Sequence, residues 1–220
     1  PSLTQRVHLP PDSMPPVFDI CYITDRSSLE PKPLLPFIVE AVGAGVDLVQ
    51  IREKDLPTRD LLKLVEGAVS AAQGTVTCVV VNDRLDVALA ARAGGVHLGY
   101  KSLPADAVRG MVPGGFLVGV SCHSLAEAVA AEQARADYIL LGPIFETPSK
   151  LAYGPPLGLE IIREVAARVK LPILALGGIT VERVKPCLAA GATGIAGISI
   201  FQTAPALSVR VRELRMQFAR

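Results

Sequence analysis

With 220 residues, half of them hydrophobic and a fifth charged, the chain is long enough for one large α/β domain and too apolar for extensive disorder. A formal net charge of +1 gives no broadly basic surface for nucleic acid, so any cationic chemistry must be local. No apolar run reaches membrane-spanning length, and Cys21, Cys78, Cys122 and Cys187 show neither CxxC nor zinc-ligand spacing; a reduced, cytoplasmic protein is expected.

Residues 1–17, with Pro1, Pro10, Pro11, Pro15 and Pro16, read as an irregular N-terminal arm, and 18–220 as one catalytic domain. Eight apolar runs, most of them rich in β-branched residues, follow in order as predicted strands: Asp19–Thr24, Asp47–Arg52, Val76–Asn82, Gly95–Leu98, Phe116–Ser121, Tyr138–Gly142, Pro172–Leu176 and Gly194–Ser199. Between them, apolar spacing of i, i+3, i+4 predicts helices such as Leu34–Ala44, Leu61–Ala72, Leu125–Ala134 and Leu159–Val169. Ser124 is placed to cap the helix after it, and Thr180 to cap one that includes Glu182 and Arg183. Such alternation predicts parallel βαβ units closing into a (β/α)8 TIM barrel. An open doubly wound sheet would usually show GxGxxG after its first strand, where this chain has Thr24-Asp25-Arg26-Ser27-Ser28.

Barrels of this kind build their sites at the carboxyl ends of the strands. Arg52-Glu53-Lys54-Asp55 ends the second run in four charges, with Arg52 and Lys54 suited to a phosphate or diphosphate. Asn82 and Asp83 end the third, and Asp83 beside a diphosphate suits Mg2+, which is usually held by one or two carboxylates plus phosphate oxygens. His97 reads as a structural hydrogen-bonding group, while Ser121 and His123 flank the fifth strand end, with His123 the better placed for proton transfer. Thr147, Ser149 and Lys150 form a polar excursion from the sixth run, and Ala152-Tyr153-Gly154-Pro155-Pro156 reads as a lid. Gly177-Gly178 and Ile198-Ser199 end the last two, where small residues let backbone N–H groups approach a phosphate.

These residues together resemble the thiamine-phosphate synthase/TenI family from Tyr22 to about Gln202. The matching blocks include Tyr22-Ile23-Thr24-Asp25, Val49-Gln50-Ile51-Arg52-Glu53-Lys54, Asn82-Asp83-Arg84, Gly95-Val96-His97-Leu98-Gly99, Gly119-Val120-Ser121-Cys122-His123-Ser124 and Gly177-Gly178-Ile179. The resemblance implies a synthase joining a hydroxymethylpyrimidine diphosphate to a thiazole phosphate with release of diphosphate. Arg52, Lys54, Asn82, Thr147, Ser149 and Lys150 would then hold the diphosphate side, with Gln50 also binding substrate. Asp83 would bind Mg2+, and Ser121, His123 and Lys150 would be the catalytic candidates. Gly178, Ile198 and Ser199 would seat the thiazole phosphate.

The family's sister activity, a TenI-type thiazole tautomerase, is an isomerase that would use His123 as acid and base without metal or diphosphate. A non-catalytic thiazole-phosphate-binding regulatory protein is a third possibility. Two departures from the synthase pattern stand out. Tyr100-Lys101-Ser102 puts Ser102 where a second metal carboxylate is expected, and Phe145-Glu146-Thr147 looks more like the TenI branch. Arg52, Lys54, Asn82 and Asp83 would be superfluous in a tautomerase, and the synthase is the preferred reading. Partners are expected to be the two phosphorylated small molecules, with no nucleic acid, no membrane and a possible homo-oligomer.

Overall fold

The computed structural model describes residues 18–147 and 155–218. The N-terminal arm and the lid, apart from Pro155 and Pro156, lie outside those residues, as do Ser149 and Lys150. Eight parallel strands close into a barrel, paired in chain order with the eighth against the first. They are β1 (Ile20–Ile23), β2 (Leu48–Ile51), β3 (Cys78–Asn82), β4 (Gly95–Leu98), β5 (Leu117–Cys122), β6 (Tyr138–Leu141), β7 (Ile173–Leu176) and β8 (Gly194–Gly197). The helices are α1 (Arg26–Leu29), α2 (Leu34–Ala44), α3 (Thr58–Ala72), α4 (Leu85–Ala90), α5 (Ala105–Arg109), α6 (Leu125–Gln133), α7 (Glu160–Arg168), α8 (Val181–Ala189), α9 (Ser199–Gln202) and α10 (Leu207–Phe218).

Both strand faces are buried, which is why the strands read as continuous apolar runs rather than as alternating ones. Alternate residues separate into two cores. Cys21, Ile23, Leu48, Val80, Leu117, Leu140, Leu174 and Ala196 fill the barrel. Ile20, Tyr22, Val49, Val79, Val81 and Val96 pack outward under the helices. Gly119 makes room within the barrel, since a Cβ there would lie 2.1 Å from the Tyr138 ring.

At the amino ends of the strands, carboxylates cap the exposed strand N–H groups. Asp47 accepts from the backbone of Asp19 and Ile20 at 3.0 and 2.8 Å, and Asp137 accepts from Val118 at 2.6 Å. Arg215, on the last helix, bonds Asp19, Asp47 and the Gly45 carbonyl, fastening the end of the described chain to its beginning.

Several boundaries differ from the sequence reading. The third strand starts at Cys78, and Val76 is 75% exposed, because hydrophobicity alone does not mark where pairing begins. The eighth strand stops at Gly197, and Ser199 begins a helix instead of ending a strand, because Ile198 has turned into right-handed helical dihedrals. Helix α3 starts at Thr58, a turn earlier than its apolar spacing predicts, directly after Pro57. Ser124 caps α6 as expected, accepting from the Glu127 N–H at 3.2 Å. Thr180 holds the N-cap position of α8 but makes no capping bond with its side chain.

Candidate active site

Inward alternation along β2 runs from Leu48 through Gln50, so the barrel's inner face rises towards Arg52 at its mouth. Gln50 is 1% exposed, and its amide nitrogen has no hydrogen-bond partner among the described residues. A buried amide donor left unpaired costs stability. In register next door, Asn82 pairs with His97 across β3 and β4, and His97 with Gly119 across β4 and β5.

His97 is buried and bonded at both ring nitrogens, with Nδ1 at 3.2 Å from the Tyr138 hydroxyl and Nε2 at 2.9 Å from Ser121 Oγ. Burial pushes its pKa down to about 3, with Arg52's charge helping and Asp83's opposing. It is therefore neutral at working pH and holds the Ser121 hydroxyl, as its reading as a structural group anticipates.

Asp83 sits at φ 61°, a left-handed conformation that Asp tolerates better than most residues and that active sites over-represent. Its carboxylate accepts from Ser102 Oγ, from the Gly99 N–H at 3.3 Å and from Asn82 Nδ2 at 2.8 Å. Burial disfavours its charge, but the bonds from Ser102, Gly99 and Asn82, with Lys54's charge, outweigh that and hold its pKa below the usual carboxylate range. Ser102 thus bonds the carboxylate rather than standing apart from it, and Gly99 N–H also donates to Ser102 Oγ at 2.7 Å. Between these loops lies a recess of about 200 Å3 lined by Glu53, Lys54, Asn82, Asp83 and Arg84 over Ile51, Leu56 and Leu61.

The sequence candidates divide accordingly. Lys54, Asn82 and Asp83 share the recess, while Arg52 acts by its charge on His97, which bonds Ser121. His123 is exposed beside α6, its ring Nδ1 3.4 Å from Glu127 Oε2 and its N–H donating to the same oxygen at 2.6 Å. Gly178, at φ 62°, is required by packing, since a Cβ would lie 2.5 Å from the Glu146 carbonyl and 2.8 Å from Phe145 Cβ. Arg183 secures the same loop, donating to the Gly178 carbonyl at 2.6 Å and lying 4.5 Å over the Phe145 ring. Thr147 is half-buried.

The sequence reading assigned Glu53 no role. Glu53 is 6% exposed and turns under the β1–α1 loop, its carboxylate accepting from Thr24 Oγ1 at 2.6 Å and from the Arg26 N–H at 3.2 Å. A carboxylate between two cations reads as a solvated turn, and the signal that could have found it is Thr24, a hydroxyl at the end of β1.

The family model described as thiamine monophosphate synthase matches residues 20–201. The chain belongs to the thiamine monophosphate synthase family. A thiamine-phosphate synthase of Methanoculleus marisnigri is 41% identical over 92% of this chain and 96% of its own length. One of Roseiflexus castenholzii is 38% identical over 87% and 84%. The solved thiamine phosphate pyrophosphorylase from Pyrococcus furiosus superposes with a TM-score of 0.82 at 33% identity, covering 91% of this chain and 95% of that one. Membership of the thiamine monophosphate synthase family thus extends over the whole barrel and every described strand end named above.

Proposed function

We propose that this chain is a thiamine-phosphate synthase, transferring hydroxymethylpyrimidine from its diphosphate to a thiazole phosphate in thiamine biosynthesis. The observation that carries the reading, beyond family membership, is the recess that Lys54 shares with Asn82 and Asp83, with Arg52's charge acting on the neighbouring His97. That is a site for a polyanion beside an ionised carboxylate, which a metal-free proton shift does not need.

In this reaction the bond between the pyrimidine methylene and the diphosphate oxygen breaks, and the thiazole nitrogen forms the new bond to that carbon. Negative charge grows on the leaving group, where Arg52 and Lys54 stabilise it more than in the ground state. Thr147, Ser149 and Lys150 complete that side in the proposal. The Gln50 amide donates to an acceptor on the pyrimidine, which removes its unpaired state. Ser121, held by neutral His97, presents its hydroxyl to the reacting centre, and the loops at Gly178, Ile198 and Ser199 bind the thiazole phosphate.

The donors present fit Mg2+, which Asp83 would hold. One ionised carboxylate, Asp83, has the Asn82 amide and Ser102 hydroxyl beside it, and among the described residues no group of three or more His, Cys, Asp or Glu forms a complete protein cage. When bound, Mg2+ would neutralise charge on the departing diphosphate. The tautomerase is not favoured, since its acid/base candidate His123 is engaged with Glu127 at a helix start.

The test compares variants. Asp83→Asn is expected to abolish Mg2+-dependent diphosphate release, whereas His123→Asn retains it within a few-fold. Loss of thiazole carboxylate isomerisation in His123→Asn, with no diphosphate release by the wild type, would refute the synthase assignment.

A further inference from the structure

We propose that Glu53 is a positioning residue that aims the diphosphate-binding cations by locking the end of β2 onto the end of β1 through Thr24. This rests on the role proposed above for Arg52 and Lys54. Glu53 lies between them in sequence, lines the recess beside Lys54 and is buried under the β1–α1 loop. Thr24 Oγ1, 0% exposed, donates to Glu53 Oε1 at 2.6 Å and accepts from the Arg52 N–H at 2.9 Å. The Thr24 N–H in turn donates to the Gln50 carbonyl at 2.9 Å. One threonine therefore fixes the backbone on both sides of Ile51 and the carboxylate two residues further on.

Glu53 also accepts from the Arg26 N–H at 3.2 Å with each of its oxygens, and Arg26 Nε lies 3.8 Å from Oε2. The outer end of Arg26 pairs with Asp55, so the chain on either side of Arg52 and Lys54 is tied to one loop. That loop is anchored again by Gln202, whose amide donates to the Tyr22 hydroxyl at 3.0 Å and to the Asp25 carbonyl at 2.9 Å. A carboxylate held by two kinds of donor at fixed distances sets backbone direction, and side-chain aim at a polyanion follows from it. Burying that charge is unfavourable for folding alone, since desolvation raises the Glu53 pKa despite the Arg26 charge.

The full-length chain is compared as wild type, Glu53→Gln, Thr24→Val, Thr24→Ser and Arg52→Ala. Affinity for inorganic diphosphate with Mg2+ is measured by calorimetry, and KM and kcat for both substrates by steady-state assay. Glu53→Gln and Thr24→Val are expected to weaken diphosphate binding and raise the pyrimidine-diphosphate KM roughly tenfold, the loss of about one charge-assisted hydrogen bond. The thiazole-phosphate KM is expected to stay within about twofold, and Thr24→Ser to restore wild-type values. Unchanged diphosphate affinity in a folded Glu53→Gln, with Arg52→Ala weakened, overturns the positioning role alone. Unchanged affinity in Arg52→Ala overturns the clamp on which it rests. Should Glu53→Gln not fold, the Thr24→Val and Thr24→Ser pair decides: no rescue by the serine hydroxyl contradicts the proposal.

Discussion

Glu53 separates what helps the site from what helps the fold. Desolvation raises its pKa first, with the Thr24 hydroxyl and Arg26 N–H and charge opposing, and Asp25 adding to the rise. A carboxyl raised on folding contributes stability that is fully present below its unfolded pKa and lost as pH rises through its folded one. Glu53→Gln removes that dependence. Its stability relative to wild type is therefore expected to climb as pH rises from the unfolded carboxylate range through the raised value, read as urea midpoints across pH. A flat difference would show that Glu53 carries no such burden. Asp83 has the opposite sign: its lowered pKa contributes stability above the unfolded value, lost as pH falls through the folded one. From sequence, Arg52, Lys54, Asn82 and Asp83 stood out as candidates because they end predicted strands, where barrels build their sites. Glu53 did not, because its burial depends on Thr24, distant in sequence and adjacent only once β1 and β2 pair.

Among the elements, the strand-to-helix loops decide what the barrel presents. The loop after β7 is pressed beneath the loop after β6, with Gly178 at φ 62° against the Glu146 carbonyl and Arg183 stacked on Phe145. Gly178→Ala is expected to destabilise the chain by about 1–3 kcal/mol through backbone strain and overpacking. The thiazole-phosphate KM is expected to rise more than the pyrimidine-diphosphate KM, measured by thermal unfolding and steady-state kinetics. The same loop shows a packing reason that the sequence did not reveal. Small residues at the ends of the last strands were expected to admit a phosphate, and Gly178 is glycine at least as much because a neighbouring loop leaves no room for a Cβ. Helices α2 and α6 were legible from their apolar spacing, whereas the short α1, α4 and α5 have too few turns for periodicity to register.

At the scale of the whole molecule, a closed parallel barrel explains why the chemistry is split by charge. Its interior holds apolar layers with His97 and Gln50 buried among them, and Arg52 and Lys54 follow directly after the end of β2. In the proposed function, that local charge is how a chain of net charge +1 would bind two phosphorylated substrates. Closure was legible from eight alternating runs, since an open sheet would have left edge strands to manage. The Arg215 bonds to Asp19 and Asp47 were not, because they join opposite ends of the described chain. Among the described residues no helix is long and apolar enough to cross a membrane.

The central claim is that the mouth joins two substrates and expels diphosphate. Its most direct test is the yield of thiamine phosphate and diphosphate when the wild-type chain meets both substrates with Mg2+, against each substrate alone. Equimolar formation of the two products, only with both substrates present, is the predicted result. Tight binding of either substrate with no diphosphate release would contradict it.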